Sequence, residues 1–381
     1  MLRCNILSIF LAFSLLAGAQ DWKVVRENPQ KAFPKTVAAG NYSGIAHLHD
    51  DIYAVVSDKS DSALYFNFRI LVNPKTGELE QVENLGFTER TDGTLNNGKP
   101  WQGQEKGFDH EAIVKVSDST LVIASEGCCR LKEYPILPTS ADAAKVGSSQ
   151  NLWESKWPSS EFYPNYNFES LAFDSVRQYL WTIPESTLRK DGLPATPQNG
   201  LANQLRLMRL DWGKMKENRN KEEYSEQVSS KKNSRYMTPY AYLMDQPSTH
   251  KKADIYVMGV SELCALPDGQ LLVLEREAFI PKIKIGAFCK CKLYLINPLN
   301  SEEFSMKENF SSDTPFLKKR LLAEWKTGLS LSKRSFANYE GMCLGPKLED
   351  GSQVVILLSD SQDQYAGVLK DWFKTIVIRK E

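Results

Sequence analysis

The chain has 381 residues, and its 47 Lys and Arg residues balance its 47 Asp and Glu residues. That balance argues against the basic surface that nucleic-acid binding needs, and it leaves no charge excess for an anionic membrane. A hydrophobic content of 42% with 25% charged residues is that of a folded globular protein, which excludes disorder over the whole length.

The first element in chain order reads as an export signal. Met1–Ala19 carries Arg3, then the apolar run Ile6–Ala17, then the small triplet Ala17-Gly18-Ala19. The run is too short to cross a bilayer core, and the triplet is a cleavage site of the A-x-A kind. Cleavage before Gln20 is expected, leaving residues 20–381 as one periplasmic or secreted domain with no membrane span. Six cysteines then remain: Cys128, Cys129, Cys264, Cys289, Cys291 and Cys343. They lack the paired C-x-x-C spacing of a structural zinc site and are too few for a disulfide scaffold. A bridge between the 128/129 and 289/291 regions stays open.

A degenerate hairpin then recurs five times, at Asn41–Asp58, Asp109–Gly127, Asn167–Ser186, Gly259–Glu277 and Asn338–Asp360. Each copy has a polar or acidic start, a short apolar strand, a turn, a second strand rich in Val, Leu and Ile, and a closing acid. Pro267-Asp268-Gly269 and Glu349-Asp350-Gly351 supply the turns of the last two copies. Further strands are expected at 63–71, 205–211, 240–244, 292–296 and 375–378, while helical periodicity is weak throughout. Four-stranded units repeated around a ring make an all-β propeller. The hairpins give five blades, each hairpin forming the inner pair of its sheet. A strand near Val24 or Phe33 is expected to close the ring, and Lys214–Lys232 reads as a solvated insertion.

Antiparallel return brings the first acid of each hairpin to the same end as the last. The pairs are Glu111 with Glu126, Glu169 with Glu185, Glu262 with Glu275, and Glu340 with Asp360, while the first copy offers Ser43 with Asp58. A crown of carboxylates around one channel mouth follows. Crowded carboxylates raise one another's pKa unless a cation compensates, and Ca²⁺, with six to eight oxygen ligands, suits such a crown. Capping of hairpin amides is the competing role for the same acids. Lys59, Arg130, Arg189 and Arg276 follow the closing acids and are candidates for holding an anionic substrate group. His110, beside Glu111, is the one histidine placed to act as acid or base. His47 and His49 share a strand face near the opposite turn. Gly259-Val-Ser261-Glu-Leu263 lacks the closing glycine of a nucleophile elbow, and phosphate-binding glycine motifs are absent. Sequons stand at Asn41 and Asn309.

The strings DHEAIVKV…LVIASEG, NFESLAF…YLWTIPEST, SELCALPDGQLLVLERE and YEGMCLGPKLEDGSQVVILLSD resemble the phytase-like family called "esterase-like activity of phytase", from about Gly40 to the C-terminus. That resemblance implies an exported propeller that hydrolyses phosphate or other esters, and similarity to phytase propellers implies six blades rather than five. The expected partner is a small anionic or ester substrate met by a monomer. A ligand-binding propeller without catalysis, or a metal-dependent lactonase-like hydrolase, is the alternative.

Overall fold

A computed structural model describes residues 21–59, 64–88, 95–96, 109–136, 152–219, 234–330, 334–361 and 369–381. The expected signal segment, Met1–Ala19, lies outside the described residues. Among the described residues no helix is long and apolar enough to cross a membrane.

The strands form five antiparallel sheets in chain order. Blade 1 comprises Tyr42–His49, Ile52–Ser57, Phe66–Val72 and Leu79–Thr88, with the short strand Leu95–Asn96 at its edge. Blade 2 comprises His110–Lys115, Thr120–Ser125, Arg130–Pro135 and Glu154–Lys156, and blade 3 Ala172–Asp174, Tyr179–Thr182, Gln204–Asp211 and Met237–Leu243. Blade 4 is the longest, with Ile255–Ala265, Leu271–Ile280, Phe288–Ile296 and Lys319–Gly328. Blade 5 takes Asn338–Lys347, Gln353–Asp360 and Trp372–Lys380 from the C-terminus and Trp22–Glu27 from the N-terminus. The described residues form a β-propeller of five blades.

Each expected hairpin is the first pair of its blade, and the first strands meet their neighbours in ring order, including blade 5 against blade 1. Val24 pairs with Ile378, so the N-terminal strand closes the ring as its position in the sequence implied. Asp21 and Glu381 exchange backbone hydrogen bonds of 2.7 and 3.1 Å at the same seam.

Five hydrophobic clusters fill the five gaps between neighbouring blades. Trp181, Leu207 and Tyr240 of blade 3, for example, pack on Val260, Leu263 and Val273 of blade 4. Because the second strand of a blade is covered on both faces, it reads as a continuous apolar run (Leu121–Ala124, Leu271–Leu274, Val354–Leu358) rather than an alternation.

One expectation needs correction and one open question is answered. The segment beginning at Lys214 is not wholly a solvated insertion: Trp212–Arg219 is a short helix whose Trp212 and Met215 enter the core between blades 2 and 3. The bridge left open between cysteines is absent, since all six are free. Cys289 and Cys291 lie in the core between blades 4 and 5 with their Sγ atoms 3.8 Å apart, close because alternate residues of one strand share a face.

Candidate functional site

At the mouth end of every blade an extra residue interrupts the register between the first and second strands. His110 pairs with Ser125 and Ala112 with Ala124, so Glu111 is the bulged residue of blade 2. The same step falls at Glu340 in blade 5, where Tyr339 pairs with Ser359 and Gly341 with Leu358. In blade 3 it falls between the Phe168–Pro184 bridge and the Ala172–Trp181 pair, the stretch that contains Glu169. In blade 1 it falls between Tyr42 and Ile45, the stretch that contains Ser43. A bulge leaves its extra residue out of the ladder and re-aims the side chain.

Close approach of the first strands also fixes small residues. A Cβ on Gly341 would lie 2.5 Å from the Ser43 carbonyl oxygen, and one on Gly44 would lie 2.7 Å from that of Glu111.

Two residues before each bulge, the backbone binds the closing residue of the second strand. The Asp58, Glu126 and Glu185 amides donate to the carbonyls of Asn41, Asp109 and Asn167 at 3.2, 2.8 and 2.8 Å. Asn338 pairs with Asp360 in the same way. These repeated positions bring Asp58, Glu111, Glu126, Glu169, Glu185, Glu340 and Asp360 to one cavity of about 330 Å³ at the channel mouth.

Blade 4 departs from the pattern. Val260 pairs with Glu275 and Glu262 with Leu274, so Ser261 is the bulged residue and Gly259 pairs with Arg276. The mouth positions of this blade are therefore Ser261 and Arg276, not the expected Glu262 and Glu275. With a side-chain period of two, that one-residue difference turns both glutamates away from the mouth. Glu262 is buried at the contact of blades 3 and 4 and accepts hydrogen bonds from the Leu171 and Leu263 amides, both 2.9 Å. Glu275 accepts from the Tyr242 hydroxyl at 2.7 Å and from Lys319 at 2.6 Å, outside the cavity.

Arg276 is consequently the counterion of the crown. It lies 4% exposed, with 2.5 Å to Glu185 and 3.1 Å to Glu169 and a further ion pair to Glu340. It also donates to Asn338 at 3.1 Å. Gly259 makes room for this arrangement, since a Cβ there would sit 2.3 Å from the Glu185 side chain.

Even so, burial holds Glu169, Glu185 and Glu340 above the ordinary carboxylate range. Burial pushes Glu111 up well, with Glu169, Asp58, Glu340 and Glu126 adding repulsion. Burial, followed by the charge of Glu185, pushes Glu126 up to about 7.

On the side of the mouth formed by blades 1 and 2, carboxylate oxygens of Asp58, Asp109 and Glu111 lie within 4.8 Å of one another. Asp109 was not among the residues expected from sequence. Its signal was the polar residue two places before the bulge in four of the five copies, Asn41, Asp109, Asn167 and Asn338, of which it alone is acidic. Burial raises its pKa as well.

The other candidates are dispersed. Lys59 stays near the mouth, 3.6 Å from Asp58. Arg130 pairs with Glu154 at 3.5 Å, and Arg189 donates to the Phe162 carbonyl at 2.6 Å while covering the Tyr163 ring. None of the three lines the cavity. His110 is buried with its Nδ1 2.9 Å from the Ser125 hydroxyl, behind the lining rather than in it. His47 and His49 are exposed at the far end of blade 1.

A family model described as "Phytase-like: Esterase-like activity of phytase" matches residues 37–362. No curated protein matches the chain. Among solved structures, virginiamycin B lyase from Staphylococcus aureus is 8% identical, with 93% of this chain and 99% of that one covered at a TM-score of 0.32. A luciferin-regenerating enzyme is 10% identical, with 94% and 95% covered at 0.34. The Dos1 propeller is 11% identical, with 88% and 68% covered at 0.28. Likenesses this remote carry no argument about chemistry.

Proposed function

From the premise that this chain belongs to the phytase-like family named for its esterase-like activity, we propose that it is a metal-assisted hydrolase of phosphate or other esters, acting at the acidic mouth of its propeller. The observation that carries this reading is the cluster of Asp58, Asp109 and Glu111, three carboxylates within 4.8 Å. An all-oxygen, anionic donor set of this kind fits a hard divalent cation, and Ca²⁺ tolerates its irregular geometry. Arg276 pairs with acids from blades 3 and 5, so its charge is engaged away from this cluster.

Bound there, Ca²⁺ would supply Lewis-acid polarisation of the ester or phosphoryl oxygen. The remaining work belongs to the protein. Glu126, pushed up to about 7, can accept the proton of an attacking water near neutral pH and return it to the departing alkoxide. Its Oε1 accepts from the Asn167 amide at 3.2 Å, which fixes its direction. Arg276, held by three glutamates, keeps the floor of the cavity from full anionic repulsion.

Release of p-nitrophenol from its acetate and phosphate esters tests the reading. Activity that depends on Ca²⁺, is abolished by EDTA and falls in Glu126→Gln is the expected result. An inert protein that still binds Ca²⁺ would instead favour a binding propeller. Removal of residues 1–19 in an exporting host would accord with action outside the cytoplasm.

A further inference from the structure

The crown accounts for only part of the cavity. Blade 4 begins its hairpin four residues earlier than the pairing of Gly259 with Arg276 requires, and these extra pairs stand above the mouth as a wall. Ile255 pairs with Ile280, Val257 with Ala278 and Gly259 with Arg276. Because alternate residues share a face, this sequence of pairs runs from an apolar rim to the cationic edge of the floor. Ile255, Ile280, Val257 and Ala278 all line the cavity, as does Phe336.

The connection from Ile280 to Ala287 continues the apolar surface outward. Both of its ends and its Lys284 line the cavity, while Ile283 is 74% and Ile285 48% exposed. Ile255 itself is 49% exposed. Large aliphatic side chains left in water and gathered at one rim mark a surface that is covered when its ligand is present.

On this basis we infer that the substrate is amphipathic, with a hydrocarbon group attached next to the hydrolysed bond. Its polar head meets the acidic and cationic floor, and its hydrocarbon lies along the blade 4 wall toward Ile283 and Ile285. This inference rests on the ester-hydrolase reading for the identity of the head, but the wall is a separate feature. A polyanion with phosphates on every side presents no surface to four aliphatic side chains and would leave them wet. A cavity of 330 Å³ holds the space of about eleven waters, enough for a head group and several methylenes.

Calorimetric titration of the full chain with two pairs of simple probes separates the wall from the head. Methylphosphonate and hexylphosphonate are used in millimolar Ca²⁺, and methylammonium and hexylammonium in EDTA, all below self-association. Each methylene buried on the wall should tighten binding about fourfold. With two or three methylenes buried, hexylphosphonate should therefore bind at least about tenfold more tightly than methylphosphonate. Ile255→Asn and Val257→Asn, at exposed and half-buried positions, should remove most of that gain without weakening methylphosphonate.

Equal affinity of the long and short probes in both pairs would overturn the inference. So would a hexyl gain that both variants retain. Chain-length dependence with the ammonium pair alone, and no phosphonate binding in Ca²⁺, would sustain the wall while removing the metal-bound head. Ca²⁺-dependent methylphosphonate binding without any hexyl gain would do the reverse.

Discussion

Arg276→Met removes the positive charge that pairs with Glu169, Glu185 and Glu340 together, and it keeps much of the side chain's volume. Glu185 is essentially inaccessible beside the vacated charge, and the Glu169 and Glu340 side chains are only 12% exposed. Removing one partner of a buried ion pair typically costs about 3–5 kcal/mol, because the remaining charge is left uncompensated. Three acids share this arginine, so the upper half of that range is the expectation at pH 8.

The pH dependence follows from the direction of the shifts. Burial already holds all three carboxyls above their ordinary value, and Arg276 pulls them back. Without it their folded pKa values rise further. A carboxyl whose folded pKa exceeds its unfolded value costs nothing below the unfolded value, about 4.3, and penalises folding increasingly as pH rises through the folded one. Each further unit of rise corresponds to about 1.4 kcal/mol at high pH. The deficit of Arg276→Met against wild type should therefore be largest at pH 8 and shrink toward pH 5. Urea unfolding at pH 5, 6.5 and 8 in EDTA measures it. A deficit below about 1 kcal/mol at pH 8, or one of equal size at pH 5, would refute the counterion role.

The ring and its acidic mouth were legible in the sequence because both follow from repetition. Five copies with the same hydrophobic pattern can only bury their faces against one another, and antiparallel return fixes which ends meet. The implied sixth blade was not visible in the residues themselves, and the described residues contain five sheets. The failure came in the fourth copy. Alignment on Ser261-Glu262-Leu263 against Phe168-Glu169-Ser170 matched like with like, but the bulge sits one residue earlier, so the chemically similar residue faces the other way. A bulge is a register feature with no residue type of its own, and its position was set by packing. Gly259 held the clue, as the small residue against which Glu185 lies. Lys59, Arg130 and Arg189 failed for a different reason. Proximity in sequence to a closing acid does not fix where a long, flexible side chain ends, and nearer partners captured Arg130 and Arg189.

Three further outcomes are expected. Asp109→Asn with Glu111→Gln should melt at or above wild type in EDTA, yet lose the gain that wild type shows in Ca²⁺, about 2.7 kcal/mol at a hundredfold excess over Kd. Equal Ca²⁺ gains in the two proteins would exclude this cluster as the site. Gly341→Ala forces a Cβ to 2.5 Å from the Ser43 carbonyl, a backbone atom that cannot swing away, so the seam between blades 5 and 1 should lose about 1–3 kcal/mol in urea unfolding. A neutral result would mean that the first strands can separate freely. The third outcome discriminates a structural acid from the crown. Glu262→Ala leaves the Leu171 and Leu263 amides without their acceptor inside the contact of blades 3 and 4. A buried donor left unpaired costs about 1–3 kcal/mol, so the variant should unfold at least about 2 kcal/mol more easily. Its Ca²⁺ affinity should nevertheless match wild type, because the carboxyl faces away from the mouth. Loss of Ca²⁺ binding in a folded Glu262→Ala protein would return this glutamate to the crown and undo the assignment of the blade 4 bulge to Ser261.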